Sequence, residues 1–272
     1  MSNRRIIGGA IGLVSLLCAS PSVSRGDDGG VYWHVDPHVK TCSMVIDPSL
    51  TQAQWETFTR QVGAMLSIKS LASAEPLGKR NFTIGIDYSS TPVNQHDPAW
   101  INTFTHPGAD CPLGDQIHVP TVRARLGVSS TMDVGGYWTT APGANYGLLG
   151  GELKYAFVKE SARVPAAAVS TSFAVLTGVP DFNLSIYSVG VGASKRIAML
   201  TPYLGARESV VIGTETTAKV DLDRESLPLT QGFIGATCSV WKLGLAAEYN
   251  VGVVNTFAVV VGFHSRADLR QR

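Results

Sequence analysis

Beyond its N-terminus this 272-residue chain has no stretch approaching 18 unbroken apolar residues, which excludes a helical membrane span there. Charge is scarce as well. Asp, Glu, Lys and Arg make up 16% of the chain and the formal net charge is +1. Soluble proteins usually carry roughly 25% charged residues. No basic stripe is visible, so no nucleic-acid partner is expected. Catalytic signatures are missing too: there is no GxSxG elbow, no GxxxxGK[ST] loop and no GxGxxG at a strand-to-helix junction. The expectation is a protein that is not an enzyme and needs no cofactor. Of the 4 cysteines, Cys18 lies in the leader, leaving Cys42, Cys111 and Cys238.

What is present begins with an export signal. Arg4 and Arg5 form a basic start, Ile6 to Cys18 an apolar segment, and Ser22 and Ser24 fit a cleavage site after Ser24. Residues 1–24 are therefore expected to be a cleaved signal peptide. Export without a helical span is compatible with an outer-membrane barrel, because a closed barrel satisfies every backbone polar group internally.

The rest of the chain alternates. Phe82, Ile84, Ile86 and Tyr88 are separated by Thr83, Gly85 and Asp87, and Leu149, Leu153, Tyr155 and Phe157 follow the same rule. Strands place successive side chains on opposite faces, so each segment has one oily and one polar side. The reading is ten strands at 81–92, 116–129, 132–141, 146–159, 164–177, 182–195, 200–213, 229–241, 242–251 and 254–264. Long loops 93–115 and 214–228 both follow odd strands, and short turns dominate the other end. The fold class is thus all-β: an antiparallel up-and-down transmembrane β-barrel of about ten strands (eight to twelve), lipid outside and a polar interior.

Ahead of the barrel, residues 25–48 read as irregular. Thr51 and Gln54 then form a capping box for a helix in which Trp55, Phe58, Val62, Met65 and Leu66 recur at helical spacing. That helix either packs simply on the domain or plugs the barrel. The domain division is 1–24 signal peptide, 25–78 irregular segment plus amphipathic helix, 79–265 barrel and 266–272 tail.

Asp87, Arg123, Arg125, Glu152, Lys154, Arg207 and Glu248 lie on or near the polar parity of their strands. A lipid-facing Arg or Lys at mid-depth costs about 2–4 kcal/mol, so these residues are lumen-facing candidates. Their mixed signs point to a salt-bridged, largely filled lumen. Tyr32, Trp33, Trp100, Tyr137, Trp138, Tyr146, Tyr203 and Trp241 are candidates for aromatic girdles. His34, His38, His96, Asp97, His106, Asp110 and Cys111 lack metal-site spacing and are read as ordinary loop residues. In an oxidising periplasm Cys42 and Cys111 could form a disulfide, whereas Cys238 shares parity with Ile234, Ala236 and Val240 as a small strand residue.

Several ordered phrases carry a family likeness: SAEPLGKRNFTIGIDYSSTPV, IHVPTVRARLGVSSTMDVGG, GGELKYAF, VPAAAVSTSFAVLTGVPDFNLSIYSVGVGASKRI, LTPYLGAR and FIGATCSVWKLGLAAEYNVG. Over roughly residues 65–263 the chain resembles an uncharacterised family of bacterial outer-membrane β-barrel proteins. The resemblance implies an outer-membrane location and a barrel, and it carries no functional residues. The last strand, NTFAVVVGF, closes on Phe263 in the manner of a barrel assembly signal, although nine residues follow it. Expected partners are outer-membrane lipid, the barrel assembly machinery and a small-molecule ligand. The expected role is a narrow or plugged channel for a small solute or apolar ligand. The alternatives are a surface binding or structural barrel acting through its loops, and a soluble lipocalin-like carrier.

Overall fold

The computed structural model describes residues 22–25, 31–34, 43–104, 114–140 and 145–265. Two short strands, β1 (Ser22–Arg25) and β2 (Val31–His34), pair antiparallel. The second falls inside the segment read as irregular, because a β-branched and aromatic run, Val31-Tyr32-Trp33, sits between its Gly and Asp residues.

Helix α1 (Gln52–Leu66) starts on the expected capping box, with Thr51 accepting from the Gln54 amide and the Gln54 side chain accepting from the Thr51 amide. A closed barrel of ten strands follows: β3 (Phe82–Pro92), β4 (Gln116–Gly127), β5 (Met132–Thr140), β6 (Gly147–Val158), β7 (Ala166–Thr177), β8 (Phe182–Ser194), β9 (Leu200–Glu215), β10 (Glu225–Val240), β11 (Leu243–Val251) and β12 (Thr256–His264). Every neighbour is antiparallel and consecutive, and β12 closes on β3 through pairs such as Phe257 with Ser90 and Phe263 with Ile84. A short helix, α2 (Pro98–Ile101), lies in the long loop after β3, capped by the Asp97 carboxylate.

The strand start displaced furthest is that of β10, which begins at Glu225 and, with β9 running to Glu215, shortens the loop between them to 216–224. Pro228 and the polar residues around it read as loop. In the barrel Leu227 and Leu229 are buried inward while Pro228 faces outward, opposite Val210 on β9. The burial available to the two leucines outweighs the missing proline donor.

Outward side chains form an apolar band. Ile84, Ile86, Trp138, Leu149, Phe157, Tyr187, Val191, Leu204, Ile234, Leu245 and Phe257 are all exposed large hydrophobics. From Leu149 to Phe157 the ladder covers about 27 Å at the usual rise of about 3.4 Å per residue, or about 21 Å of height at a strand tilt near 40°. Glu208 interrupts the band: it is exposed on the outward parity of β9 and accepts from Thr230 Oγ1 at 3.0 Å. No described helix is long and apolar enough to cross a membrane.

The aromatic girdle is only partly as expected. Trp138 and Trp241 are exposed, but Trp100, Tyr137 and Tyr203 are buried. Tyr137 and Trp138 are adjacent in a strand, so only one of them can face outward. Tyr203 takes the inward parity and donates its hydroxyl hydrogen to Glu248.

Candidate functional site in the lumen

An eight-stranded barrel has room for little more than its own side chains. Ten strands enclose more, and here part of the extra space is filled by the chain's own N-terminal part. Helix α1 sits in the barrel at the end bearing the long loops. Trp55, Phe58 and Val62 have no exposure and cluster with the inward residues Phe182, Leu184 and Ile186 of β8, Val211 of β9 and Leu229 of β10. A side chain on Gly213 would collide with Trp55 and Thr59, and one on Gly63 with Val211. The upper lumen is therefore apolar, contrary to the wholly polar interior expected. An amphipathic helix inside a barrel needs an oily wall for its oily face.

The same end is closed further by residues 43–50. The Met44 amide donates to Asn145 Oδ1 at 2.8 Å, Asn145 Nδ2 returns a bond to the Met44 carbonyl at 2.7 Å, and the Ile46 amide donates to Asp181 Oδ2 at 2.9 Å. Val45 and Asp47 donate to the carbonyls of Thr103 and Asn102. One short stretch thus ties three long-end loops together. Trp100, stacked with Phe104, donates its indole N–H to Gln61 of α1.

Below α1 the chain runs as an extended strap, residues 67–78, toward the short-turn end. The ammonium of Lys69 donates to the carbonyls of Ala64, Met65 and Ser67 at 3.0, 3.1 and 2.8 Å, closing the C-terminus of α1. The lumen side chains then take hold of the strap backbone. Arg123 donates to the carbonyls of Lys69 and Ser70 at 2.7 and 2.9 Å. Glu248 accepts from the amides of Ser70 and Leu71 at 3.2 and 2.8 Å. Lys154 donates to the carbonyls of Ser73 and Glu75, Ser194 accepts from the Ala74 amide, and Asp133 accepts from the Leu77 amide. Leu71 adopts φ 44°, a left-handed conformation that costs a β-unbranched residue about 1–2 kcal/mol and turns consecutive amides toward one anion. Here that anion is Glu248.

The seven candidate residues all project into this lumen, six of them buried and Glu152 with its side chain 6% exposed, and ion pairs tie most of them together. Arg123 meets Asp87 at 2.8 Å, Lys154 meets Asp133 at 3.0 Å, and Arg125 is paired with Glu152. Arg207 stands apart. It is 5% exposed, lies over the Phe233 ring, and its Nη1 has no hydrogen-bond partner. Sequence reasoning passed over Asp133 and Lys69 and assigned Tyr203 to the girdle. Asp133 carried a usable signal, since it shares the inward parity with Gly135 and Tyr137. Lys69 carried none, because the strap has no periodicity.

His38, Cys42, His106, Asp110 and Cys111, and with them the Cys42–Cys111 bridge, lie outside the described residues. Among the described residues no group of three His, Cys, Asp or Glu side chains is placed to hold a metal ion. Cys238 is partly exposed on the outward parity of β10.

The two ends differ in charge. Asp97, Asp115, Asp181, Asp221, Asp223 and Glu225 outnumber Lys219 and Arg224 in and around the long loops. At the short-turn end Lys79, Arg80, Lys159, Arg163, Lys195, Arg196 and Lys242 outnumber Glu75 and Glu160.

No family model matches the chain, and a search of curated proteins by sequence finds no match either. Among solved structures it is similar to the translocator domain of autotransporter NalP from Neisseria meningitidis, with 10% identity over 70% of this chain and 89% of that one and a TM-score of 0.37. The outer membrane protein OprG from Pseudomonas aeruginosa shows 8% identity over 72% and 100% of the two chains, with a TM-score of 0.31. The attachment invasion locus protein Ail of Yersinia pestis shows 14% identity over 68% and 97%, with a TM-score of 0.27. These are β-barrel likenesses at a coarse level and assign no role.

Proposed function

We propose that this chain is an integral outer-membrane β-barrel that is closed to bulk diffusion by its own N-terminal segment and is not an enzyme. The membrane part of the reading is supported by the apolar band on the outward face of every strand, together with the leader. Exposed aromatic and aliphatic residues around a whole cylinder would otherwise form an apolar surface far beyond the few hundred Å² that soluble monomers usually tolerate. The observation that carries the closed state is the occupied lumen: α1 is buried against an oily inner wall above, and the strap is hydrogen-bonded to charged side chains below. In this reading the long-loop end faces outward and the short-turn end faces the periplasm, as short periplasmic turns and longer external loops require.

The test is electrical. Purified protein in planar bilayers should give no steady conductance steps. Large, persistent steps from the full mature chain would refute the closed barrel. Retention in membranes washed with urea or carbonate tests the location separately, and release into the wash would count against it.

A second reading, a plugged channel that opens, rests on the contrast between the two halves of the lumen. Moving α1 would expose Trp55 and Phe58 and strip the oily wall. Strap contacts are mostly hydrogen bonds to charged side chains, which exchange with water at a net cost of about 1.5–3 kcal/mol each. Opening, if it occurs, belongs to the strap.

A further inference from the structure

Beneath the strap the barrel is hollow. A cavity of about 780 Å³ opens at the short-turn end, bounded above by Arg123, Arg125 and Lys154 and reaching Arg196 at its mouth. The volume falls within the roughly 300–1,000 Å³ typical of small-molecule sites. Part of the space comes from glycine. Gly85, Gly262 and Gly244 are register partners across β3, β12 and β11, all on the lumen parity, so these three positions add no side chains of their own to the wall, although the His264 ring covers Gly244.

From these observations we propose that the vestibule is a binding site for a soluble amphiphilic anion, with its acidic group at the mouth and its apolar body directed inward. The deep cations do not supply the site's charge, because Arg123, Arg125 and Lys154 are already paired with Asp87, Glu152 and Asp133. The uncompensated positive charge is at the entrance. Among the described residues the Arg196 guanidinium has no carboxylate within salt-bridge distance, although its backbone amide donates to Glu160 Oε2 at 3.1 Å. The one carboxylate in the lining, Glu75, accepts from the Glu160 amide, and basic residues outnumber acidic ones at this end, so the low-dielectric mouth concentrates an anion. Further in, Leu71, Pro76, Leu77, Ala246 and Val260 offer an apolar surface. A small inorganic anion would leave that surface wet, and a cation would meet the charged rim first.

The site deepens the closed-barrel reading, since it is a blind pocket only while the strap stays in place. Conductance tests that premise independently: steps with binding intact would overturn the closed barrel alone, and silence without binding would overturn the site alone. The binding experiment uses the mature chain in zwitterionic nanodiscs, titrated calorimetrically with 2-naphthalenesulfonate against empty nanodiscs. Saturable binding of one probe per barrel is expected, at least tenfold tighter than for 2-naphthyltrimethylammonium, with no detectable binding of sulfate alone. Arg196→Glu should weaken it at least fivefold. Thr83→Trp, which projects into the cavity from β3, should remove it while heat-modifiable gel migration stays unchanged, with Ser239→Trp on β10 as the substitute if that variant misfolds. Affinity should be the same in nanodiscs containing an acidic lipid; displacement by that lipid would overturn a soluble ligand. Absence of saturable binding, equal binding of the cation, or undiminished binding to the filled cavity would overturn the site.

Discussion

Arg123 on β4 and Glu248 on β11 meet at the strap residue Ser70, Arg123 on its carbonyl and Glu248 on its amide. Arg123 donates to the carbonyls of Lys69 and Ser70, and Glu248 accepts from the amides of Ser70 and Leu71. A stretch without regular secondary structure thus has its peptide groups satisfied by the barrel wall, as any buried backbone requires. These two residues hold the upper part of the strap, as Lys154, Ser194 and Asp133 hold the lower.

Glu248→Ala should therefore release the strap and destabilise the fold. Removing one member of a buried, hydrogen-bonded charge cluster typically costs about 3–5 kcal/mol. Two amides, the Tyr203 hydroxyl and the neighbouring cations would lose their anion. Urea unfolding followed by heat-modifiable migration measures the loss, and limited proteolysis within residues 67–78 should become detectable.

Phe58→Ala tests the oily half of the lumen. Phe58 has no exposure and lies against Trp55, Trp100, Phe104 and Phe182. A loss of about 3–5 kcal/mol is expected for truncating a fully buried aromatic. Tryptophan emission should shift to the red as Trp55 and Trp100 gain water. An unchanged spectrum would mean that the helix is not seated in the barrel.

The outward face should respond in the opposite way. Ile86, 64% exposed near the middle of β3, should tolerate Ala but lose about 2–4 kcal/mol as Arg, provided the band contacts lipid. Refolding yields and urea midpoints in liposomes distinguish the two. Glu208→Gln should be neutral or stabilising in the same assay, because a carboxylate facing lipid is replaced by an uncharged group of similar shape.

Cys238 gives a chemical check on parity. With Cys42 and Cys111 replaced by Ser, a charged maleimide should fail to label the protein in liposomes and should label it fully after denaturation. Rapid labelling in liposomes would place this part of β10 in water.

Much of this architecture is legible in a single sequence because it follows local rules. Alternation with period two marks each strand, and the parity of Asp87, Arg123, Glu152 and Lys154 already separates lumen from exterior. The capping box at Thr51 and Gln54 fixes the start of α1. Parity fails where identity and position compete, as at Tyr137 and Tyr203, whose aromatic rings suggest a girdle but whose register turns them inward. Residues 67–78 read only as the end of the 25–78 segment, since a strap has no period and its order comes from side chains up to 178 positions away.

By itself, then, the sequence determined the cylinder: two-residue alternation, turn positions and an oily face are properties of neighbouring residues. Tertiary structure alone decided what fills it. Whether α1 lies outside or within, which carboxylate holds which peptide, and where a hollow remains all depend on groups brought together only when β12 meets β3. Burial and hydrogen bonding at those meetings are set by distance in space, which spacing along the chain does not encode.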